Sequence, residues 1–463
     1  MQDLQLLIVA SLTIFYCLGV LRFEAKSKRL AAPLSLYAGL LIVHFAFPAA
    51  MFAFDPSHSF FNADNSDFAA VAMLYVLASF IGFQMGAWFI EYWPGHSFVI
   101  MRNSSTEEWR SAKVILIAVF ISVVGWLARV HIIQSDAYFQ VTRTFQGELE
   151  GPFYAWIRFA EMLPLHILLL LAVHVWHPVH IRSTGWVYGY AAVLIAEFSY
   201  WIPTGRKEEP ILILLLPMMI RYLQRRKLPS VATILSFGVF VIALFPISHF
   251  YRWAIESYGG LGQDVFSTAE VGISIMDGAT NETFENVFGI SIFQSILRRL
   301  ALIEPVSACL RLIDTGQWQL FLGKSYADGI VGVIPRAIWP SKPDFHYGTE
   351  FGHSSGLLEN YDSLTSISVT FIGESFLNFS WLGVIPLVLM GAIFTFIYTQ
   401  MDRTVYKQTW ALIYAVTLPT ILFCGGTFAL YFGGILKTWT LFYFLAILMR
   451  SNLKKPGHFL AEV

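Results

Sequence analysis

An all-α protein that crosses a membrane many times is the fold class the sequence predicts, and three observations lead to it. Apolar residues fill 56% of the 463 positions and charged residues only 13%, about half the charged share of a soluble domain. Mean hydropathy is +0.60. The apolar residues are gathered into runs near the roughly 20 residues that span hydrocarbon. Lipid offers the backbone no hydrogen-bond partner, so each run is expected to be helical. The net charge of −1 speaks against a nucleic-acid partner, which would require a basic face. Cys17, Cys309 and Cys424 form no disulfide framework or CxxC pattern, and no metal or cofactor is expected.

About eleven helices follow in order. The first apolar run is Leu4 to Leu21; without a basic leader or a small-residue cleavage site it reads as a retained helix. The second is about Ala32 to Phe54, and after the acidic turn Asp55 to Asp67 the third is Phe68 to Phe89. Beyond Arg102, Arg110 and Lys113 lies the fourth, about Val114 to Ile133. The polar stretch Gln134 to Gly151 leads to the fifth, about Ala155 to Val175, and the sixth, about Trp186 to Ile202. A short seventh, about Pro210 to Leu223, ends in Arg225, Arg226 and Lys227. The eighth is about Val231 to Pro246. A long polar segment follows, with room for a re-entrant pair around Val287 to Ile303. Last come the ninth, roughly Ile372 to Tyr398, a short tenth, about Trp410 to Phe423, and the eleventh, about Gly434 to Met449. Three regions result: residues 1–247 as an N-terminal bundle, 248–370 as a large external segment, and 371–463 as the last three helices and a tail.

The short basic loops fix the orientation. Arg22 to Arg29, Arg102 to Lys113, the Arg182 loop, Arg225 to Lys227, Arg403 with Lys407, and Arg450 with Lys454 and Lys455 all fall on one side of this topology. That side is expected to be cytoplasmic. The N-terminus, the long segment and the Pro203 to Glu209 turn then lie outside, and the C-terminus inside.

Charges within or beside the apolar runs gather at the outer level: Arg129, His131, Arg158, Glu161, Glu197, Arg206, Lys207, His249, Arg252, Glu374 and Lys437. Ionisable groups at membrane depth usually mark a functional cavity. Some can instead snorkel or pair, as Arg158 and Glu161 can at i,i+3. Several arginines at this level suit a diphosphate headgroup whose lipid tail lies in the bilayer, because guanidinium binds phosphate oxygens bidentately and stays charged. Pro203-Thr204-Gly205-Arg206-Lys207 is a tight external turn whose glycine admits close backbone approach. Arg252 stands among aromatics, Tyr251 and Trp253, that suit sugar stacking or an interfacial belt equally well.

Within the long segment, Pro335 and Pro340 bracket Arg336-Ala337-Ile338-Trp339, and Ser341-Lys342-Pro343 follow. Prolines stiffen this piece and set the direction of Arg336 and Trp339. His353 lies on a polar loop downstream, either solvated or catalytic. No HExxH, GxSxG, P-loop or DxD motif occurs, which leaves zinc hydrolysis, serine-hydrolase chemistry and nucleotide-sugar metal sites without support.

Pro335-Arg336-Ala337-Ile338-Trp339-Pro340-Ser341-Lys342-Pro343 and Gly373-Glu374-Ser375-Phe376-Leu377-Asn378-Phe379-Ser380 resemble the PR-x-x-WP-x-KP and GE-x-x-x-NFG patterns of bacterial O-antigen and related polysaccharide polymerases, the Wzy family. Thr204-Gly205-Arg206 resembles the G-[TS]-R or G-R turn between two middle helices of that family. Ser380 departs from it, standing where a glycine is usual. The resemblance implies a metal-independent membrane glycosyltransferase of the GT-C type in the bacterial inner membrane. Its substrates would be undecaprenyl-diphosphate-linked oligosaccharides, as donor and acceptor, and a chain-length regulator its partner. On this resemblance Arg206, Arg252 and Arg336, with Arg299 as a fourth, are expected on diphosphate. His353, Glu374 and then His249 are the candidates for the proton, and Trp339, Tyr251 and Lys342 for sugar or lipid contact. An O-antigen ligase of similar architecture and a flippase or transporter of lipid-linked glycans are the alternatives.

Overall fold

In the computed structural model, the described residues are 2–54, 61–92, 109–135, 138, 153–177, 184–258, 270, 274, 286, 291–334, 338–339, 341, 347–362, 365–403, 407–423 and 425–450. They are mostly helical, with one isolated bridge between Trp109 and Arg450 and no strand among them. Eight helices are long and apolar enough to cross a membrane: Asp3–Lys26, Pro33–Phe54, Ala69–Tyr92, Ser111–Gln134, Trp156–Trp176, Val231–Ala254, Phe371–Met401 and Tyr431–Met449. They correspond to eight of the eleven expected runs. The sixth, seventh and tenth expected helices exist but are shorter or more polar.

In chain order, α1 is Gln2–Lys26 and α2 is Pro33–Phe54, interrupted by a π turn at Ile42–Ala46. The short α3, Ala63–Ser66, precedes α4, Ala69–Tyr92, and α5, Ser111–Gln134. The fifth expected helix is two pieces, α6 at Tyr154–Glu161 and α7 at Leu163–Trp176, because Pro164 is compatible with a first turn and not with an interior one. Helix α8, Thr184–Trp201, closes in a 3-10 turn at Ile202–Thr204, and α9 is Glu208–Arg225. Helix α10 is Val231–Tyr258. It runs on past Pro246, so His249, Tyr251 and Arg252 stand on a helix and not at the start of a loop. A proline removes one backbone donor, and the long apolar segment tolerates that loss. The boundary drawn at 247/248 therefore falls inside a helix.

The polar segment is not a loop laid over the bundle. It contains α11, Ile292–Leu300; α12, Ile303–Asp314; α13, Lys324–Gly332; and α14, Tyr347–Ser354. Nine of the twelve residues of α12 are buried. The α2 π turn supplies an anchor, since the His44 carbonyl accepts the Leu302 amide at 2.9 Å. The expected ninth helix is also broken: α15, Phe371–Phe379, turns through a 3-10 segment at Ser380–Gly383 into α16, Val384–Arg403. Helix α17 is Lys407–Leu422 and α18 is Phe428–Met449.

The closest helix pair is α4 with α16. A Cβ at Gly86 would overlap the Val388 carbonyl oxygen, and one at Gly391 would overlap that of Phe83. Small residues let these backbones touch, the usual source of helix affinity where no hydrophobic drive exists.

Basic groups stitch one end of the bundle together. Arg29 pairs with Glu91 and Glu24; Arg226 donates to the Lys28 carbonyl and to Tyr398; Arg225 donates to the Trp176 carbonyl at 3.0 Å; Lys113 donates to the Leu448 carbonyl at 2.8 Å. The ends of α1, α4, α7, α9, α16 and α18 and the start of α5 thus share one face. The expected clustering of Arg29, Lys113, Arg225 and Arg226 is what the helices deliver. Arg102, Arg182, Lys454 and Lys455 lie outside the described residues.

Candidate functional site

The opposite end of the bundle holds a different arrangement of charge, built around the turn from α8 to α9. Gly205 has φ of 70°, a left-handed conformation that suits glycine. The Thr204 hydroxyl donates to the Trp201 carbonyl at 2.6 Å and accepts the Arg206 amide at 3.1 Å. Helix α10 clamps this turn: Ser248 donates to the Gly205 carbonyl and the Tyr251 hydroxyl to the Pro203 carbonyl at 2.9 Å. A Cβ at Gly205 would lie 2.7 Å from Cγ of Arg252. The close approach that this glycine permits is thus to Arg252, not to a ligand.

The clamp brings cations together. Lys207 lies within electrostatic reach of Arg252 from α10 and Arg299 from α11, and all three act on His249. Lys207 sits over the Phe245 ring at 4.5 Å. Burial, reinforced by Arg299 and Arg252, pushes its ammonium down to about 7. Glu208 is the nearest carboxylate and acts on both Lys207 and Arg299. Arg206 stands at the edge, over the Trp201 ring at 5.4 Å, and pairs with Glu209 at 3.2 Å.

Beneath the turn lies a fully internal network. Arg129 and Glu197, both without exposed surface, form a bidentate pair with 2.8 Å in each arm. Arg129 also donates to the Glu161 carbonyl at 3.1 Å and lies 4.0 Å from the Tyr200 ring centre. Glu197 accepts the Trp201 indole at 3.2 Å, and Glu161 accepts Tyr200 at 2.7 Å and Arg158 at 2.9 Å. The i,i+3 pairing of Arg158 with Glu161 is therefore present. The Arg129–Glu197 pair spans 68 positions, a separation that periodicity does not read.

Of the residues singled out in the sequence, Arg206, Arg252, Arg299 and His249 share this region. Tyr251 is there too, but its ring is buried and its hydroxyl occupied, so the expected sugar contact gives way to a turn clamp. Lys207 is the member that the sequence left without a role; its only signal was adjacency to Arg206. Glu374 is elsewhere, on α15. One carboxylate oxygen accepts Ser325 at 2.6 Å and the other the Phe428 amide at 2.5 Å, with 4% of the residue exposed. Both oxygens accept bonds that fix α13 and the N-terminus of α18. His353 is also engaged: Nε2 lies 2.9 Å from the Asp362 carbonyl. A carbonyl only accepts, so that nitrogen bears the proton and cannot take one. Trp339 is 38% exposed and its indole donates to Ser341 at 3.1 Å. Arg336 and Lys342 lie outside the described residues. No group of His, Cys, Asp or Glu among the described residues has the arrangement of a metal site.

The fold and these intramembrane charges define a polytopic, all-helical membrane protein. Compared with known protein families, with curated proteins and with solved structures, the chain matches none.

Proposed function

We propose that the cluster formed by Lys207, His249, Arg252 and Arg299, with Arg206 at its edge, holds the diphosphate of a lipid-linked glycan, and that the protein is a polysaccharide polymerase of the Wzy type. One observation carries this reading: residues from three separate segments place like charges together at the end of the bundle opposite the stitched basic end. A multiply charged anion would meet several charged donors there, two of them guanidinium groups able to bind phosphate oxygens bidentately. All eleven helices span the inner membrane in this reading, in a GT-C-like arrangement with the N-terminus outside and the C-terminus in the cytoplasm.

In the reaction, the acceptor hydroxyl oxygen bonds to the anomeric carbon of the donor as the bond from that carbon to the diphosphate breaks. Undecaprenyl diphosphate leaves with the electron pair, and Arg252, Arg299 and Arg206 stabilise its charge. The acceptor proton passes to Lys207 in its neutral form, its ammonium being held at about 7. Ser380 offers secondary support for the family. Its φ of 52° and ψ of −132° form a glycine-favouring backbone, at the position where the family usually has glycine.

The test is the surface-glycan ladder of a deletion strain carrying Arg252→Ala together with Arg299→Ala, with membrane levels matched to the parent. A single repeat unit on the acceptor is the expected outcome. A full ladder would refute the diphosphate site. Loss of all attached glycan would point to a ligase, and inward accumulation of lipid-linked units to a flippase.

A further inference from the structure

We infer that α13 is a re-entrant helix whose outward face is inserted into the lipid of the membrane leaflet at the cleft end of the bundle. Its direction follows from matched contacts with α18. A Cβ at Gly329 would lie 2.9 Å from Cα of Ala429, the rings of Tyr326 and Phe428 are 5.0 Å apart, and Val333 Cγ2 is 3.9 Å from a Cβ at Gly433. Positions 329 and 333 therefore face positions 429 and 433, so the two helices run side by side in the same sense. Helix α18 runs from the cleft end to the stitched end, where the Leu448 carbonyl accepts Lys113. Helix α13 must then descend with it, away from the aqueous boundary. The Tyr347 to Ser354 helix that follows is bound back to the external side by Arg311, which donates to the Ser354 carbonyl at 3.0 Å and to Asn65 at 2.8 Å.

The surface of α13 has the polarity of a helix crossing into hydrocarbon. Its exposed positions are Lys324, Ala327 and Ile330, continued by Ile334 just beyond its end. These spacings of three and four form one stripe. The charge stands at the upper end and the isoleucines at the lower end, 55% and 38% exposed. Water would be a poor solvent for that lower end. The opposite face is fixed within the protein: Ser325 donates to Glu374, accepts Asn378 at 2.7 Å, and Gly329 is buried on α18. Asp328 accepts Tyr347, which ties its carboxylate to α14. The lipid occupant is indicated by continuity of this stripe with the flank of a membrane-spanning helix and by the gradient from ammonium to isoleucine.

The experiment places single cysteines at Lys324, Ala327, Ile330 and Ile334 in a Cys424→Ser background, where Cys17 and Cys309 are buried. Each is spin-labelled in detergent and reconstituted in phosphatidylcholine and phosphatidylglycerol liposomes. Relaxation by a water-soluble nickel chelate is expected to fall on the order of tenfold from Lys324 to Ile334, as a site passes from headgroups to hydrocarbon, while relaxation by oxygen rises. Equal nickel access at all four positions would overturn the inference, because the stripe would then face water. Low access to both reagents at Ile330 and Ile334 would overturn it too, by showing cover from protein. If a cysteine variant fails to fold, Ile334→Lys provides the second measurement: insertion predicts lowered stability in liposomes but not in a water-facing control, Lys324→Glu.

Discussion

Breaking the Arg129–Glu197 pair is the sharpest test of how the bundle carries its charges. Arg129→Met removes both 2.8 Å arms and leaves Glu197 with the Trp201 indole as its remaining donor, at 3.2 Å. Loss of one partner from a buried pair costs about 3–5 kcal/mol, because the other charge stays without compensation. Glu197→Leu should cost a similar amount, since it strands a guanidinium that has no exposed surface. The double variant removes both charges and puts apolar groups in their place, so it should be less destabilised than either single change. The coupling energy is therefore about 3 kcal/mol or more, or two decades in the unfolding equilibrium at ~1.4 kcal/mol each. Reversible unfolding by SDS in mixed micelles, on the parent and all three variants, measures it. If the double variant is as unstable as the two single costs added together, the pair is not a closed unit and the reasoning fails.

Three further outcomes follow from other residues. Glu304 lies outside the membrane-spanning helices, and burial, opposed by the Asn62 amide, pushes its carboxyl up to about 7; a raised acid favours the folded state fully below its unfolded value near 4.3 and loses that contribution as pH rises through 7. Thermal stability should thus decline between about pH 4.5 and 7.5, by at most ~4 kcal/mol, and Glu304→Gln should flatten the curve; a slope unchanged by that variant would be contrary. Lys207, held at about 7, loses its charge as pH rises, so pyrophosphate measured by calorimetry should bind about tenfold more weakly above that value for one lost charge-assisted bond. Lys207→Arg should bind pyrophosphate equally below and above that value, and a variant curve that keeps the parent's pH dependence would exclude Lys207 from the site. Ser380→Gly should raise stability by about 1 kcal/mol, because a serine at φ of 52° is strained and glycine is not; an unchanged or lowered melting temperature would contradict it.

Hydropathy located the helices well because burying a backbone in lipid demands long apolar runs, and eight of the expected runs recur with ends shifted by a few residues. It failed where the determinant was not apolarity. Pro164 and Ser380 divide runs that look continuous, and α10 continues beyond Pro246 into polar sequence because its outer turns pack on the α8–α9 turn. Charge adjacency singled out Arg206 and Arg252 because each follows an apolar run. It could not separate their surroundings from those of Glu374 and His353. Those two residues are polar and near the same boundary in sequence, yet their partners, Ser325, Phe428 and Asp362, become neighbours only on folding.

The distinction between structural and binding charge at the cleft end follows from how each group is satisfied. Glu197, Glu161 and Glu374 each accept donors from other segments, and Arg129 and Arg158 each have a carboxylate at 2.8 or 2.9 Å. Opposite charges closed in this way fix helices and leave little attraction for a ligand. Lys207 on the α8–α9 turn lies near Arg252 of α10 and Arg299 of α11, and Glu208 acts on all three. The turn that gathers them is fixed by uncharged bonds from Ser248 and Tyr251. Its geometry therefore does not depend on the cations neutralising themselves. In the proposed reaction an anion reaching this cluster would meet positive groups already in place, the condition for electrostatic stabilisation of a leaving diphosphate without reorganisation at the moment of reaction. Replacing Ser248 or Tyr251 should then weaken anion binding while every charge remains, and this separates a positioned cleft from a chance excess of basic residues.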